Sequence, residues 1–196
     1  MNATMGRLET LIVNSPMRGA LARREIERFR RMTGLPAGAR VLDAGCGAGL
    51  TTRAIARVLR PAHLAAFDID PGQVQRAKKR LWDAPNVEVR QASAKAMPYA
   101  DGEFDAVFEL GILHHIPSWR EALPEIARVL RPGGVFCFAE PTKTRLTRGV
   151  YRIFPHEVEN MFEADELRAE ITRAGMTVRQ TTHMLLWNVF GYATKP

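Results

Sequence analysis

The regular alternation of strand-like and helix-like segments between residues 39 and 139 constrains the fold of this 196-residue chain more than any other feature. Short apolar runs of strand length are separated by longer segments whose apolar residues recur every three or four positions. The predicted strands are 39–43, 64–67, 87–90, 104–108 and 135–139, and the predicted helices are 49–59, 72–81 and 118–130. Pro132-Gly133-Gly134 predicts a tight turn before the last of these strands. Strands that alternate with helices form a mostly parallel sheet that is covered on both faces.

An amphipathic helix is predicted before the sheet, at residues 16–32. Ser15 can cap its first turn, and Pro16 suits the first helical position. One face of this helix is apolar, whereas its other faces are rich in arginine, which is typical of a helix with one buried and one solvated side. The apolar face consists of Ala22, Ile26 and Phe29.

The C-terminal part contains a long connection at 141–162, a predicted helix at 163–174 and two predicted strands at 177–182 and 185–193. Two strands in direct succession can pair only as a hairpin, so one of them should be antiparallel to the rest. We therefore expect an α/β fold with a Rossmann-like, doubly wound, seven-stranded and mostly parallel sheet and an antiparallel C-terminal strand. Ligands of such sheets bind outside the C-terminal ends of the strands, beside the first strand.

Composition and charge narrow the classes of protein further. Hydrophobic residues make up 46% of the chain and charged residues 25%, which is typical of a globular protein. The net charge of +7 is compatible with nucleic acid, an anionic membrane or an acidic substrate, or simply with an arginine-rich composition. Cys46 and Cys137 form no metal-binding motif, so we expect no metal and a reducing compartment. No signal peptide or membrane span is recognisable, and we expect a cytoplasmic protein.

The segment VLDAGCGAGL, residues 41–50, is a glycine-rich turn between the first predicted strand and its helix. Glycine lets backbone amides approach a ligand closely, and a helix N-terminus favours anionic groups. Its three alternating glycines do not have the G-x-G-x-x-G spacing of dinucleotide sites, and no P-loop Gly-Lys-Ser/Thr follows. Asp43 would repel a pyrophosphate and suits a zwitterionic amino acid that is attached to a nucleoside. A tight turn without a ligand is the alternative.

Further segments in a fixed order make this interpretation more specific. AFDIDP at 66–71 ends the second predicted strand, ASAKAMPYADGEFD at 92–105 leads into the fourth, and LHHI and EIARVLRPGG follow it. Together with VLDAGCGAG, they resemble the motifs of the class I S-adenosylmethionine-dependent methyltransferases, in particular the small-molecule group with ubiquinone- and menaquinone-type enzymes. The resemblance covers roughly residues 39–140. It implies S-adenosylmethionine as the cofactor, S-adenosylhomocysteine as the product, and in-line transfer of a methyl group to a small-molecule acceptor.

The resemblance also implies how one domain, residues 1–196, is organised. Residues 1–38 would form a helical cap, 39–140 the cofactor-binding half, and 141–196 the acceptor-side half with the terminal hairpin. The cap would cover the cofactor or the acceptor. Its arginine-rich face could instead contact an anionic membrane, where a lipid-like acceptor is found.

Eleven residues are assigned to the cofactor by this resemblance. They are Asp43, Ala44, Gly45, Gly47, Gly49, Asp68, Ile69, Ser93, Ala94, Glu109 and Leu110. The glycines would pass under the methionine part, and Asp43 would lie near its ammonium group. Asp68 would accept hydrogen bonds from the two ribose hydroxyls, which favour a charged acceptor. Asp70 either contributes to the cofactor contact or only caps the next helix.

The remaining assignments concern the adenine ring and the reactive end of the cofactor. Ile69 would lie against the adenine ring, and Ser93 and Ala94 would contact it. Many relatives have an aspartate at the position of Ser93, whose hydroxyl is a weaker acceptor for the adenine amino group. The backbone carbonyls of Glu109 and Leu110 would face the cofactor amine or sulfonium.

Three histidines are candidates for acid–base chemistry: His114, His115 and His156. Histidine titrates near neutral pH, and an acceptor hydroxyl or amine must lose a proton during methylation. His114 and His115 follow the fourth predicted strand, whereas His156 lies in the long connection. Tyr151, Phe154 and Met161 could line an acceptor pocket with it. The alternative is that these histidines have structural roles and take no part in proton transfer. Methyl transfer itself requires no metal.

Two other functions are compatible with parts of the sequence. A nucleic-acid methyltransferase would explain the positive charge, but amino-methylating DNA enzymes carry an Asn/Asp-Pro-Pro-aromatic motif where this chain has ELGILHHI. A non-catalytic, S-adenosylmethionine-binding regulatory protein would be consistent with the change at Ser93. The small-molecule methyltransferase accounts for the largest number of motifs.

Overall fold

Seven strands form one sheet among residues 16–146, 161–182 and 189–196, which the computed structural model describes. The strands are β1 (Arg40–Ala44), β2 (His63–Asp68), β3 (Val87–Gln91), β4 (Phe104–Leu110), β5 (Leu130–Glu140), β6 (Thr177–Thr182) and β7 (Val189–Thr194). Their order across the sheet is β3-β2-β1-β4-β5-β7-β6. The pairs from β3 to β5 are parallel, and β7 is antiparallel to both β5 and β6. The predicted fold, including the antiparallel C-terminal strand, is confirmed.

Helices cover both faces of this sheet. They are α1 (Pro16–Thr33), α2 (Leu50–Leu59), α3 (Pro71–Arg80), α4 (Ala122–Val129), the short α5 (Lys143–Leu146) and α6 (Ala164–Arg173). The predicted helix at 118–130 begins later than expected. Ser118 has a left-handed backbone with φ 56°, so a single 3₁₀ turn, Trp119–Glu121, separates it from α4.

The Pro132-Gly133-Gly134 segment is a second difference from the predicted boundaries. It does not precede β5 as a turn but lies within it, where the pairing of β4 and β5 shifts register. Gly133 has φ 75°, its N–H donates to the Lys195 carbonyl at 2.9 Å, and the Lys195 N–H donates to the Gly134 carbonyl at 3.0 Å. Because these bonds continue the β5–β7 ladder, the irregular segment stays in the sheet.

The two largest apolar clusters of the described residues lie on opposite faces of the sheet. On one face, Val107 and Phe138 of the sheet pack with Trp119 and with residues of α4 and α6. On the other face, Ala22, Ile26 and Phe29 of α1 are all fully buried beside α2, as their spacing predicts. The Phe29 ring stacks on Phe190 of β7 at 4.0 Å between centroids. Helix α1 is therefore an integral layer of the domain, with most of its arginines outward.

The parallel strands bring the ends of β1, β2, β4 and β5 to one edge of the sheet. Because β1 lies between β2 and β4, the connections on its two sides diverge there and leave room for a ligand. Tyr151, Phe154 and His156 lie outside the described residues. None of the described helices is long and apolar enough to cross a membrane.

Candidate active site

The glycine turn after β1 is fixed to β2 by its own backbone. The N–H groups of Gly45 and Cys46 both donate to the Phe67 carbonyl, at 2.9 and 2.8 Å. Gly45 has φ 76°, and a Cβ at this position would lie 2.7 Å from Cδ1 of Ile112. Packing alone therefore requires glycine at position 45.

Gly49 and Gly47 have different local reasons for being glycine. Gly49 is the N-cap of α2 with φ 82°, and a Cβ there would press on Ala77 of α3 at 3.2 Å and on Leu81, which follows α3, at 3.1 Å. At Gly47, with φ 52°, a Cβ would meet no described atom within 4 Å. The space that a Cβ of Gly47 would occupy is therefore open.

Asp68 closes β2 directly opposite this open turn. Its Oδ2 accepts a hydrogen bond from the Gly47 N–H at 2.8 Å, and its Oδ1 accepts one from the Asp70 N–H at 3.0 Å. Burial raises the pKa of Asp68, and these backbone donors oppose that effect. Each carboxylate oxygen keeps a second lone pair, so the group can still accept bonds from two hydroxyls.

The residues that follow Asp68, and those that follow the neighbouring strand β3, have distinct surroundings. Asp70 caps α3 by accepting the Gly72 N–H at 2.7 Å, which explains it without a ligand. Ile69 is 63% exposed, unusual for a large apolar side chain at the end of a buried strand. Ser93 and Ala94 follow β3, and Ser93 Oγ accepts the Lys95 N–H at 3.2 Å. Ala94 is buried in the core.

Asp43 is buried at the end of β1, where Thr52 of α2 donates a 2.6 Å hydrogen bond to its Oδ2. Burial raises the pKa of Asp43 from its ordinary 3.8 to about 7, and the Thr52 hydrogen bond opposes this rise. The carboxyls of Asp68 and Glu109 raise the pKa further, whereas the guanidinium of Arg18 lowers it. Arg18 belongs to α1 and was not predicted as a site residue. The side chain of the neighbouring Ala44 lies in the core, which leaves only its backbone for a ligand.

Glu109 and Glu140 end β4 and β5, and both are fully buried. Glu109 Oε1 accepts the Ile112 N–H at 2.8 Å, and Glu140 Oε1 accepts the Leu113 N–H at 2.7 Å. The sequence predicts cofactor contacts for the backbone of Glu109 and Leu110, and for Glu140 either a contact with the acceptor or a turn cap. The buried carboxyl groups of Glu109 and Glu140 form a polar centre among side chains that are otherwise mainly apolar.

The histidine pair lies next to these carboxyl groups. Nδ1 of His114 is 2.6 Å from Glu140 Oε2, and both side chains are almost completely buried. The half-buried His115 ring lies against the His114 ring, with 3.9 Å between centroids. The structure therefore brings His114 and His115 to the edge of the sheet, while His156 is not among the described residues. Within the described ranges, no group of three His, Cys, Asp or Glu residues could hold a metal ion.

Comparisons with known proteins agree with this architecture. Residues 42–138 match the family model described as a methyltransferase domain. The demethylmenaquinone methyltransferase of Tropheryma whipplei is 30% identical over 168 residues, which cover 74% of this chain and 69% of that protein. A SAM-dependent methyltransferase from Aquifex aeolicus has the same fold, with a TM-score of 0.80 at 21% identity over 98% of this chain and 100% of that chain. The chain therefore belongs to the S-adenosylmethionine-dependent methyltransferase family.

One further relative extends the range of acceptors within this family. The fatty-acid O-methyltransferase of Mycolicibacterium smegmatis is 36% identical over 103 residues, which cover 53% of this chain. The chain spans only 37% of the length of that relative.

Proposed function

We propose that this chain transfers a methyl group from S-adenosylmethionine to a small apolar acceptor. The observation that carries the proposal is the open face of Gly47 beside the oriented carboxylate of Asp68. A backbone without a Cβ and a fixed, charged acceptor at 2.8 Å form a site for a polar ligand with hydroxyl groups. The relatives that methylate fatty acid and menaquinone precursors, by their names, support the choice of an apolar acceptor.

The charges at the edge of the sheet fit a cationic, zwitterionic nucleoside better than a phosphate. The carboxyl groups of Asp43, Asp68 and Glu109 all lie there, and a phosphate would be repelled by the carboxylate of Asp68. In the proposed complex, Asp68 accepts from the ribose hydroxyls and Asp43 lies on the side of the ammonium group. The exposed Ile69 side chain offers an apolar surface for the adenine ring.

The remaining contacts follow the same order along the sheet. The backbone at Gly45, Gly47 and Gly49 supports the methionine part, and Ser93 and Ala94 contact adenine from the end of β3. The backbone of Glu109 and Leu110 lies on the side of the transferred methyl group. When bound, S-adenosylmethionine supplies an activated methyl group, so the chain has only to align the acceptor, exclude water and remove a proton.

His114 is the residue that we propose for proton removal, with His115 as its neighbour. The His114 ring is held by Glu140, which fixes its orientation as a second group does in other histidine bases. His156 is the third candidate, and we expect it to lie in the acceptor pocket with the connection at 141–162. This assignment applies to an acceptor oxygen or nitrogen that carries a proton.

The N-terminal helix limits how a membrane-derived acceptor could reach the site. Because the apolar face of α1 is buried against the domain, a membrane contact through α1 would use its arginine face. The exposed arginines of this face are Arg23, Arg24, Arg30 and Arg31. A cytoplasmic location stays a prediction from the sequence.

Transfer of a labelled methyl group tests this proposal. The purified chain, incubated with methyl-labelled S-adenosylmethionine, should label at least one member of a panel of fatty acids, quinols and hydroxylated polyketides. An Asp68→Asn variant measured beside it should lose most of the label. Absence of label throughout the panel, from a protein that binds S-adenosylmethionine, would favour the non-catalytic alternative.

A further inference from the structure

Glu109 and Glu140 lie on the same face of the sheet as a consequence of strand register. Glu109 of β4 pairs with Phe138 of β5, and Glu140 follows Phe138 by two residues. Residues two apart on a strand point to the same side, so the two carboxyl groups are diagonal neighbours on adjacent strands. Both side chains are fully buried, and the residues around them on this face are mainly apolar.

Three of the four carboxyl oxygens of this pair have ordinary partners. Backbone N–H groups donate to Oε1 of Glu109 at 2.8 Å and to Oε1 of Glu140 at 2.7 Å, and Nδ1 of His114 lies 2.6 Å from Oε2 of Glu140. Oε2 of Glu109 receives no hydrogen from any donor among the described residues. Strand register places the Glu140 carboxyl on the same face, and its negative charge interacts with the Glu109 carboxyl.

Two ionised carboxylates offer each other no hydrogen, so a hydrogen bond between them requires one proton. We propose that Glu109 is protonated in the resting protein and donates to Glu140, which thereby remains the anionic acceptor for the Nδ1–H of His114. In this arrangement Glu109 and Glu140 are positioning residues, and His114 presents Nε2 as its basic nitrogen. The inference rests on the proposed function only for the identity of the proton that His114 removes.

The electrostatic surroundings favour the proton on Glu109. Burial, and after it the Glu140 carboxyl, raises the pKa of Glu109 well above its ordinary value. Burial also raises the pKa of Glu140, but the Glu109 hydrogen bond and the backbone donors oppose that rise. Among the described residues, Asp43 of β1 has a carboxyl that interacts with Glu109, and the His115 ring lies against His114. An anionic Asp43 would disfavour ionised Glu109 further.

The hydrogen-bonded series Glu109–Glu140–His114, called the relay below, has a defined part in methyl transfer to an acceptor hydroxyl. The acceptor O–H bond would break and its proton would go to Nε2 of His114, while an oxygen lone pair would form the bond to the methyl group. The bond between that methyl group and the sulfur of bound S-adenosylmethionine would break, and its electron pair would stay on the sulfur of the product. The imidazolium that results lies against anionic Glu140, and the Glu109 proton stays in place. His114 afterwards releases its proton to solvent.

Carboxyl-carbon NMR of the full chain, labelled at the side-chain carboxyl of glutamate, tests the protonation directly. At pH 7 the unliganded protein should show a glutamate signal at the chemical shift of a protonated acid, and this signal should be missing from a Glu109→Gln variant. A wild-type spectrum in which every glutamate is ionised at pH 7 would overturn the proposal. If that variant fails to fold, Glu109→Leu serves the same purpose, and persistence of the protonated signal in it would assign the proton to another glutamate and overturn the proposal.

Histidine ring NMR tests the positioning role with matched variants. Glu109→Gln keeps an N–H donor towards Glu140, so the tautomer and pKa of His114 should stay as in the wild type. Glu109→Leu removes the donor that stabilises the Glu140 anion, so buried Glu140 should itself take up a proton, and Glu140→Gln removes the anion altogether. Each variant should therefore lower the proton affinity of His114, the latter at least tenfold. The acid limb of the pH profile of kcat/KM should move in parallel.

Equal His114 titrations in the Gln and Leu variants of Glu109 would contradict the relay. Because these spectra are recorded without cofactor or acceptor, they do not depend on methyl transfer. If the spectra show the relay but no acceptor is methylated, the inference stands and the proposed function is rejected. If an acceptor is methylated but the spectra show no relay, the proposed function stands and the inference is rejected.

Discussion

The backbone N–H of Gly47 donates a 2.8 Å hydrogen bond to Oδ2 of Asp68, which joins the glycine turn after β1 to the acidic end of β2. The two motifs, 21 residues apart in the chain, thus form one structural unit. The bond holds the carboxylate beside the part of the turn where no side chain fills the space. Some residues here are required by the packing of the turn, whereas others are available to bind a ligand. Variants can distinguish these two groups.

Replacement of Asp68 by asparagine should weaken S-adenosylmethionine binding by roughly 10–100-fold, because hydrogen bonds to a charged acceptor contribute about 1.5–3 kcal/mol. Isothermal titration calorimetry would measure the change. Asp70→Asn is the matched control, since asparagine caps a helix as well as aspartate does. Comparable losses in both variants would contradict the assignment of the ribose contact to Asp68.

Alanine at Gly47 should cost only about 1–2 kcal/mol of folding stability, from the left-handed backbone alone. The same substitution should reduce S-adenosylmethionine affinity roughly tenfold or more, because the new methyl group would occupy space that the ligand needs. Gly34→Ala, with φ 66° and equally open surroundings among the described residues, is the control for backbone strain. Urea unfolding and calorimetry together test the prediction, which fails if the two variants bind equally well.

The buried Asp43 should make folding stability depend on pH. Its pKa is about 7 in the folded protein against an ordinary 3.8, so the folded state binds this proton more tightly than the unfolded chain does. The resulting stability is complete below about pH 4 and is lost as pH rises to about 7, a change of about 4 kcal/mol.

Asp43→Asn removes this titration. The stability of the variant relative to the wild type should therefore rise between pH 4 and 7 and stay constant at higher pH, as measured by urea unfolding at several pH values. Thr52→Val removes the hydrogen bond that lowers the pKa of Asp43. In this variant the loss of folding stability with rising pH should therefore extend to higher pH. Parallel curves for Asp43→Asn and the wild type would refute the assigned shift.

Helix α1 should behave as part of the core. Phe29→Ala should destabilise the protein by about 3–5 kcal/mol, since it removes a fully buried ring that stacks on Phe190. Met17→Ala, at a position that is 78% exposed on the same helix, should change stability by less than about 0.5 kcal/mol. A small loss for Phe29→Ala would instead describe α1 as a detachable lid.

The strands and the glycine turn were predictable because their signals are local. The run at 64–67 lies within the observed β2, and the run at 87–90 lies within β3, each extended by at most one residue at either end. The apolar face of α1 was equally clear, because helical periodicity brings Ala22, Ile26 and Phe29 together without any knowledge of the sheet.

The polar centre beneath the histidines depends on information that no single segment contains. Glu109 and Glu140 become neighbours only through the register of two strands, and a shift by one residue would place them on opposite faces. The same holds for Arg18, whose charge affects Asp43 only because α1 packs beside α2. The later start of α4 follows from the left-handed backbone of Ser118, which has no strong sequence signal.

Chemical unfolding with and without S-adenosylmethionine tests the central claim most directly. Protein shown to be free of carried-over ligand should gain about 2.7 kcal/mol of stability when the ligand is present at about 100 times its dissociation constant. S-adenosylhomocysteine should stabilise the protein as well, and Asp68→Asn should lose most of both effects. Unchanged stability of the wild-type protein with either compound would contradict the assignment of this edge of the sheet as the cofactor site.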